Sequence, residues 1–191
     1  MSPCKFGIRV PAGRSLILRL VIRSFDVWHM PQGCGTWPAI WENGVNNWPY
    51  GGEVDILEGV NDAGPNSMRV HTSPGCTIPA DRNQTGRDRG TQCDAFANPG
   101  GCGASDPREN SYGPPFNENR GGWFALERTE SFIKIWFWPR CGSDPPVEVQ
   151  DGYDWINTDN WVSRSPEKYR FPEPDFHPPF YFVGYPNCVV P

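Results

Sequence analysis

Hydrophobic and polar residues alternate along several short stretches of the chain, which is the pattern of a β-strand that buries one face. The clearest stretch is Glu53–Glu58, with the sequence Glu-Val-Asp-Ile-Leu-Glu and glycines on both sides. Alternation turns Val54 and Ile56 toward a core and turns Glu53 and Asp55 to the opposite face. The pattern therefore predicts a strand whose second face carries carboxylates.

Glu58 breaks this alternation, because it lies five positions after Glu53 and a regular strand would turn it toward the core. Burying a lone carboxylate there is costly. A β-bulge near Ile56 and Leu57 would return Glu58 to the face of Glu53 and Asp55. A solvated acidic edge strand is the simpler interpretation, but no Lys or Arg within the run relieves the repulsion between the charges. We therefore predict a tuned acid/base set.

Other alternating segments predict further strands at residues 6–10, 16–27 and 68–72, and a hairpin formed by 121–128 and 132–138. The segment 68–72 is predicted to pair with the carboxylate strand. A short strand through Trp37 and Trp41 would place both indoles on one face, since the proline after Trp37 disfavours a helix.

The second strand of the predicted hairpin has two distinct faces. We predict that the aliphatic face, formed by Ile133, Ile135 and Phe137, is a core face. The opposite face, formed by Lys134, Trp136 and Trp138, is either a second buried layer or part of a cleft lining.

Three segments have little periodicity. Residues 73–119 hold three Cys with many Gly and Pro, which predicts a long loop region held by disulfides. Residues 154–161 are predicted to be a helical turn or a loop, and residues 172–191 to be irregular. Repeats and linkers are absent, so we expect a single domain over residues 1–191.

Composition agrees with an all-β or loop-rich domain. The 191 residues include 21 Gly and 22 Pro, and the 14% share of aromatic residues argues against disorder. The net charge is −5 and no basic stripe is present, so we expect neither nucleic acid nor an anionic membrane as a partner. An acidic, aromatic-rich protein suits a neutral ligand, and carbohydrate is the obvious neutral polymer.

The chain contains seven Cys, at positions 4, 34, 76, 93, 102, 141 and 188, and no pair has the spacing of a zinc site. Disulfides formed in an oxidising compartment are the better interpretation, and the odd number leaves at least one Cys without an internal partner. Asn83 begins a glycosylation sequon, which agrees with secretion. No signal peptide is visible, and the apolar stretch 15–22 is too short to span a membrane.

Aromatic residues and a histidine accompany the carboxylates. Trp37, Trp41 and Trp48 are equally plausible as core residues, but their position just before the acidic strand favours stacking against sugar rings. His71 lies in the strand predicted to pair with it, where a partly buried, hydrogen-bonded imidazole is the more common outcome.

Taken together, the motifs resemble glycoside hydrolase family 16, and within it the fungal laminarinase-like endo-β-1,3(4)-glucanases. The specific feature is Glu-x-Asp-x-x-Glu in the company of Gly-Cys-Gly-Thr-Trp-Pro-Ala-x-Trp and His-Thr. The matching segments are residues 29–41, 47–49, 51–59, 70–72, 74–77, 101–103, 111–113 and 133–140, which together span about 24–140.

The resemblance implies an all-β jelly-roll (concanavalin-like) β-sandwich with long loops and a carbohydrate cleft across one concave sheet. It implies retaining endo-hydrolysis of β-1,3- or mixed β-1,3/1,4-glucan, in a secreted protein that we expect to be a monomer without cofactor or metal ion. It assigns the residues as follows: Glu53 as nucleophile, Asp55 as assisting carboxylate, Glu58 as acid/base, Trp41 and Trp48 as cleft aromatics, and His71 as a neighbour of the acid/base.

The chain departs from the family pattern at both ends and at one internal position. We expect N-terminal strands to be missing or replaced before about Ser15, and residues 172–191 are atypical, which would leave the sandwich with open edges. Arg128 stands where the family usually has Trp, and the change either weakens a sugar contact or repacks the site. A glucan-binding protein without catalysis, a glucan transglycosylase and a fragment that does not fold are the alternative interpretations.

Overall fold

The computed structural model describes residues 20–44, 47–82, 84–129, 132–154, 156–158, 161 and 180–182. These residues form two antiparallel sheets with little helix. The strands are β1 (Leu20–Val27), β2 (Ala39–Asn43), β3 (Glu53–Glu58), β4 (Ser67–His71), β5 (Arg87–Asp88), β6 (Cys102–Ser105), β7 (Gly122–Thr129), β8 (Ile133–Pro139) and β9 (Phe180–Phe182). One sheet has the order β1-β7-β8-β9 and the other has the order β2-β3-β4-β6-β5.

The main core lies between the two sheets and is built by the apolar positions of the alternating strands. Val54 and Ile56 from β3 join one buried cluster with Phe124 from β7 and Phe137 from β8. The Phe124 and Phe137 rings stack with their centroids 4.6 Å apart. Burying a side chain of this size, relative to leaving it exposed to water, stabilises the fold by about 1.5–3 kcal/mol. The predicted hairpin, its aliphatic core face and the inward direction of Val54 and Ile56 are confirmed.

The tryptophan face of β8 forms a second buried layer, which decides between the two alternatives left open by the sequence. Trp136 and Trp123 are buried in a cluster on the other side of that sheet. The Trp161 ring meets Trp136 edge-on at 4.8 Å, and Val149 of the short helix α2 (Val147–Gln150) belongs to the same cluster.

The prediction of a long loop over residues 73–119 is wrong for part of that segment. It contains β5, β6, a short 3-10 helix at Glu109–Ser111 and the helix α1 (Gly113–Glu118). All four residues of β6 are buried, and it lies between β4 and β5 in the sheet. Its sequence, Cys-Gly-Ala-Ser, has small side chains and no alternation, so hydrophobic periodicity could not detect it.

The prediction of an irregular end at residues 172–191 is wrong at Phe180–Phe182, which pairs with β8 from Ile133 to Ile135. Three residues are too few for a periodic signal. The strand predicted at 16–27 is observed from Leu20, and the one predicted at 68–72 is observed as β4. The predicted strand at 6–10 and the sequon residue Asn83 lie outside the described residues.

The prediction of disulfides is confirmed by the bond between Cys93 and Cys102, which ties the segment before β6 to its first residue. Cys76 is also disulfide-bonded. Cys34 and Cys141 are exposed free thiols. Within the described ranges, no helix combines the length and apolar character needed to cross a bilayer.

Candidate active site

The carboxylate strand β3 contains the β-bulge that its sequence predicts. On the neighbouring β2, Ile40 lies opposite Leu57 and the next residue, Trp41, lies opposite Asp55. Ile56 is therefore the extra residue of the bulge. Ile56 and Leu57 are both buried in the core, and Glu58 is only half-buried. The bulge thus turns two successive apolar side chains inward and returns Glu58 to the face of Glu53 and Asp55.

Strand β4 adds a histidine to the same face. The predicted pairing of β4 with β3 is confirmed, and its register places His71 opposite Glu53 and Arg69 opposite Asp55. Both Asp55 and His71 are buried, and His71 Nε2 lies 3.4 Å from Asp55 Oδ2. The imidazole is therefore buried and partnered, as is common for a histidine in a strand. It also belongs to the acidic site.

The charge state of His71 follows from its carboxylate neighbours. Burial by itself lowers the pKa of His71, but the hydrogen bond and attraction of Asp55, with further attraction from Glu53 and Glu58, outweigh it and raise the pKa above its ordinary value. A protonated imidazole here offsets part of the repulsion among the three carboxylates.

A carboxylate oxygen from each of Glu53 and Asp55 and an imidazole nitrogen of His71 all lie within 4.8 Å of one another. Oxygen and imidazole ligands of this kind are able to bind divalent cations. Among the described residues, this is the group that could hold a metal ion. The same three side chains suit proton transfer and nucleophilic chemistry, and the absence of a metal requirement stays a prediction.

The opposite end of β3 is enclosed by aromatic side chains. The Trp37 indole N–H donates a hydrogen bond to Glu58 Oε1 at 2.9 Å. Gly59 follows, and a Cβ placed there would lie 2.5 Å from the Tyr112 ring, so only glycine admits this contact. Burial, together with Asp62 and Glu58, raises the pKa of Tyr112 to about 12, and the phenol remains neutral at ordinary pH.

The structure brings two residues to the site that the sequence prediction omits or places differently. Trp37 lies before β2 and reaches Glu58, so the prediction that one strand carries both Trp37 and Trp41 is wrong. Arg69 is a half-buried cation across from Asp55, and its pKa is lowered by burial and by Arg89, against the attraction of Glu58 and Asp55. Strand register was the signal that could have identified Arg69.

Two of the predicted cleft aromatics lie near the carboxylates in different ways. Trp48 is 51% exposed, and its ring centroid is 6.2 Å from that of His71. Trp41 is half-buried on β2 opposite Asp55, and residues opposed across a ladder share one face. Tyr50 and Phe96 form a further exposed pair with ring centroids 6.0 Å apart, which extends the aromatic surface.

Arg128 belongs to an ion-pair cluster at the edge of the sandwich. Its Nε lies 3.5 Å from Glu42 Oε2, and the other oxygen of Glu42 binds Arg23 Nε. Burial lowers the pKa of Arg128, and Arg23 adds to that effect, whereas Glu42 opposes it. Glu42, Arg23 and Trp41 also line a groove of about 240 Å³ between β1 and β2. These contacts support repacking as the role of Arg128.

Curated relatives of the chain are fungal. A probable endo-1,3(4)-beta-glucanase of Aspergillus flavus is 41% identical over 128 residues, which cover 66% of this chain and 19% of that protein. A probable glycosidase of Schizosaccharomyces pombe is 39% identical over 155 residues, covering 79% of this chain and 34% of its own length. The chain therefore spans about a fifth to a third of the length of these relatives.

Similar folds are found among solved structures. A mutant laminarinase 16A that cyclizes laminariheptaose matches with a TM-score of 0.74 and 48% identity, over 85% of this chain and 50% of that one. Laminarinase 16A of Phanerochaete chrysosporium, with β-glucans in both donor and acceptor sites, matches with a TM-score of 0.71 and 55% identity. This match covers 73% of this chain and 47% of that one. An elongating family 16 β-1,3-glucosyltransferase matches with a TM-score of 0.60 and 35% identity, over 86% of this chain and 54% of that one.

These likenesses confirm the predicted jelly-roll fold. The family described as "XgeA-like, catalytic GH16 domain" matches residues 8–173, a stretch that includes the bulged carboxylate strand and His71. Because this match covers most of the chain, the chain belongs to the XgeA-like catalytic domains of glycoside hydrolase family 16.

Proposed function

We propose that this chain carries the catalytic site of a retaining endo-glucanase that cleaves β-1,3- or mixed β-1,3/1,4-glucan. The observation that carries the proposal is the bulge at Ile56, which puts Glu58 on the face of Glu53 and Asp55 beside His71. Several relatives are named as endo-1,3(4)-beta-glucanases, which supports the substrate class.

In the first step, a Glu53 carboxylate oxygen forms a bond to the anomeric carbon of the sugar. The bond from that carbon to the leaving oxygen breaks, and Glu58 gives its proton to that oxygen. Glu53 must therefore start ionised and Glu58 protonated. The indole N–H of Trp37 donates to Glu58 Oε1 and so helps to orient the Glu58 carboxyl for this transfer.

In the second step, Glu58 takes a proton from water as the water oxygen attacks the same carbon and Glu53 leaves as a carboxylate. The sugar keeps its original anomeric configuration after the two displacements. Asp55 lies between the two glutamates in sequence and is bound to His71, so its charge is held in place. Because Asp55 is buried and fixed in position, it couples the charges of the carboxyl groups of Glu53 and Glu58, and in this way assists Glu53.

The substrate is a neutral polymer, which suits a site with half-exposed carboxylates and exposed aromatic rings. Trp48 presents an open indole beside His71, and Trp41 lies opposite Asp55. Indole faces provide apolar area for the C–H faces of glucose units and a polar N–H at the edge. The disulfide between Cys93 and Cys102 agrees with action outside the cell.

Hydrolysis of laminarin and lichenan by the full chain tests this proposal. Glu53→Gln should abolish release of reducing sugar, and proton NMR of the wild-type product should first show the β-anomer. Glu109→Gln, at an exposed glutamate in the short 3-10 helix, is the matched control and should leave the rate unchanged. Equal activity of Glu53→Gln and the wild type would contradict the role of Glu53.

Glucan transfer is a second candidate function, favoured by the similarity to an elongating β-1,3-glucosyltransferase. The glycosyl group on Glu53 would then pass to a sugar hydroxyl instead of water, with Glu58 taking the proton of that hydroxyl. Labelled laminari-oligosaccharides distinguish the two reactions, because transfer yields products longer than the starting sugar. Binding of laminarin without any release or lengthening of sugars would instead indicate a glucan-binding protein without catalysis.

A further inference from the structure

Asn66 is a fully buried residue immediately before β4, and its side chain contacts the bulge of β3. Its carboxamide Oδ1 accepts a hydrogen bond from the backbone N–H of Glu58 at 2.9 Å. Its Nδ2 donates to the backbone carbonyl of Ile56 at 3.0 Å. The side chain therefore binds the backbone on both sides of Leu57, at the point where the strand direction changes.

The bulge needs such a partner because the regular ladder ends before it. The register between β3 and β4 runs from Glu53 to Asp55 and stops there. The carbonyl of Ile56 is buried and the N–H of Glu58 is partly buried, and a regular strand would satisfy both groups with a neighbouring backbone. A carboxamide offers one acceptor and one donor side by side, so Asn66 replaces one peptide unit of the missing ladder.

The backbone N–H and carbonyl of Asn66 are both hydrogen-bonded, which fixes the position of the residue. Its N–H donates to Ser111 Oγ at 3.0 Å, and the Ser111 hydroxyl donates to the carbonyl of Arg108 at 2.6 Å. Its carbonyl accepts the N–H of Asp106 at 3.0 Å. These bonds tie Asn66 to the segment between β6 and α1, so the side chain that holds the bulge cannot easily shift.

We propose that Asn66 is a positioning residue for the proton transfers of Glu58. By fixing the backbone on both sides of Leu57, it sets the direction in which the Glu58 carboxyl leaves the strand. The inference rests on the proposed function, since it assumes that Glu58 protonates the leaving group. Asn66 is fully buried and acts through the backbone of Glu58, so its effect is confined to the steps that use Glu58.

The chain offers a matched control for this role. The Asn117 carboxamide also bridges a backbone N–H and a backbone carbonyl, both of Met30, at 2.9 and 3.0 Å. The two asparagines therefore make the same pair of bonds, but only Asn66 bonds the carboxylate strand. Because Asn117 is only half-buried and also donates to Gln32, the comparison concerns how each variant's loss depends on the substrate, not the size of its stability loss.

The test compares two substrates of the full chain. One is a laminari-oligosaccharide, whose poor leaving group needs a proton from Glu58, and the other is a dinitrophenyl laminaribioside, whose leaving group needs none. Asn66→Ala should lower kcat/KM for the oligosaccharide about 100-fold, because a displacement of about 1 Å costs this much. For the dinitrophenyl substrate, the loss should stay under about 3-fold, because acid catalysis is not used.

A second readout is the pH profile of kcat/KM. Its basic limb reports the essential acid of the free enzyme, so Asn66→Ala should move that limb while Asn117→Ala should leave it in place. Equal losses on both substrates with an unmoved basic limb would show that Asn66 supports only the fold, and would overturn the proposal.

Asn66→Asp keeps the volume of the side chain and the acceptor toward Glu58, and replaces only the donor toward Ile56. It should show the same preference for the dinitrophenyl substrate, and it keeps the test decisive if Asn66→Ala does not fold. A wild-type chain inactive on both substrates would refute the proposed function instead, whereas an active wild type with no substrate-dependent loss in Asn66→Asp would refute only the role of Asn66.

Discussion

Each sheet of the sandwich has one face turned away from the main core, and the two faces differ in what covers them. On β7 and β8 that face carries Trp123 and Trp136, which are buried together with Trp161 and Val149 of α2. On β3 and β4 it carries carboxylates and His71, with Glu53 and Glu58 only half-buried and Trp48 half-exposed beside them. The sequence alone makes both faces candidates for a cleft lining.

The difference follows from the free energy of removing each kind of side chain from water. Covering an indole is favourable, so a helix and a loop that supply apolar residues settle on the tryptophan face. Asp55 is already buried beside His71, but covering Glu53 and Glu58 as well would be costly, because one histidine and one arginine cannot neutralise three carboxylates and replace their water. The acidic face therefore stays accessible, and accessibility is what a polymeric substrate requires.

The largest expected effect separates activity from stability on the acidic face. Glu58→Gln should lower kcat on laminarin by about 10²- to 10⁴-fold, because it removes the proton donor. The free energy of unfolding should change by no more than about 0.5 kcal/mol, since the site is half-exposed. Steady-state kinetics and denaturant unfolding measure the two quantities. A large loss of stability would mean that the acidic face supports the fold as the tryptophan face does.

The converse experiment addresses the tryptophan face. Trp136→Ala should lower the free energy of unfolding by about 3–5 kcal/mol, because it leaves a cavity beside Trp161 and Val149. Activity per folded molecule should remain close to the wild-type value, measured at a temperature where the variant is folded. A selective rise in KM for laminarin would indicate that this face binds substrate after all.

A smaller effect is expected at Trp48, the exposed indole beside His71. Trp48→Ala should raise KM for laminarin about 2- to 10-fold, because a stacking contact is worth roughly 0.5–1.5 kcal/mol. Stability should hardly change, as the ring is half in solvent. Trp28→Ala, which truncates another exposed indole, serves as the comparison. Equal KM values for the Trp48 variant and the wild type would remove Trp48 from the substrate site.

The smallest effect concerns pH and His71. Its pKa in the folded chain is raised above about 6.5, so the protonated imidazole stabilises the fold fully below that pH. This contribution is lost as the pH rises through the raised pKa, and stability should therefore fall. His71→Gln should remove that fall, as seen in denaturant midpoints at about pH 6 and about pH 9. An identical pH dependence in the variant would show that His71 does not form the charged pair.

The strand Glu53–Glu58 shows how far sequence reasoning extends. Alternation predicted which side chains face the core, and the cost of burying Glu58 predicted the bulge, because both depend on residues close together in the chain. The pairing of β3 with β4 and the hairpin of β7 and β8 were predicted for the same reason. Strand β6 was missed because four small residues carry no periodicity.

The local pattern of the chain determined the all-β class, the open carboxylate face and the position of the bulge. Only the tertiary structure decided that Trp37 reaches Glu58, that Arg69 faces Asp55, and that the tryptophans of β8 are covered. It also showed that Asn66 holds the bulge from a distance of eight residues. Such contacts depend on strand register and on which distant segments pack together. The free energy that decides this packing is summed over the whole fold, so no single stretch of residues predicts it.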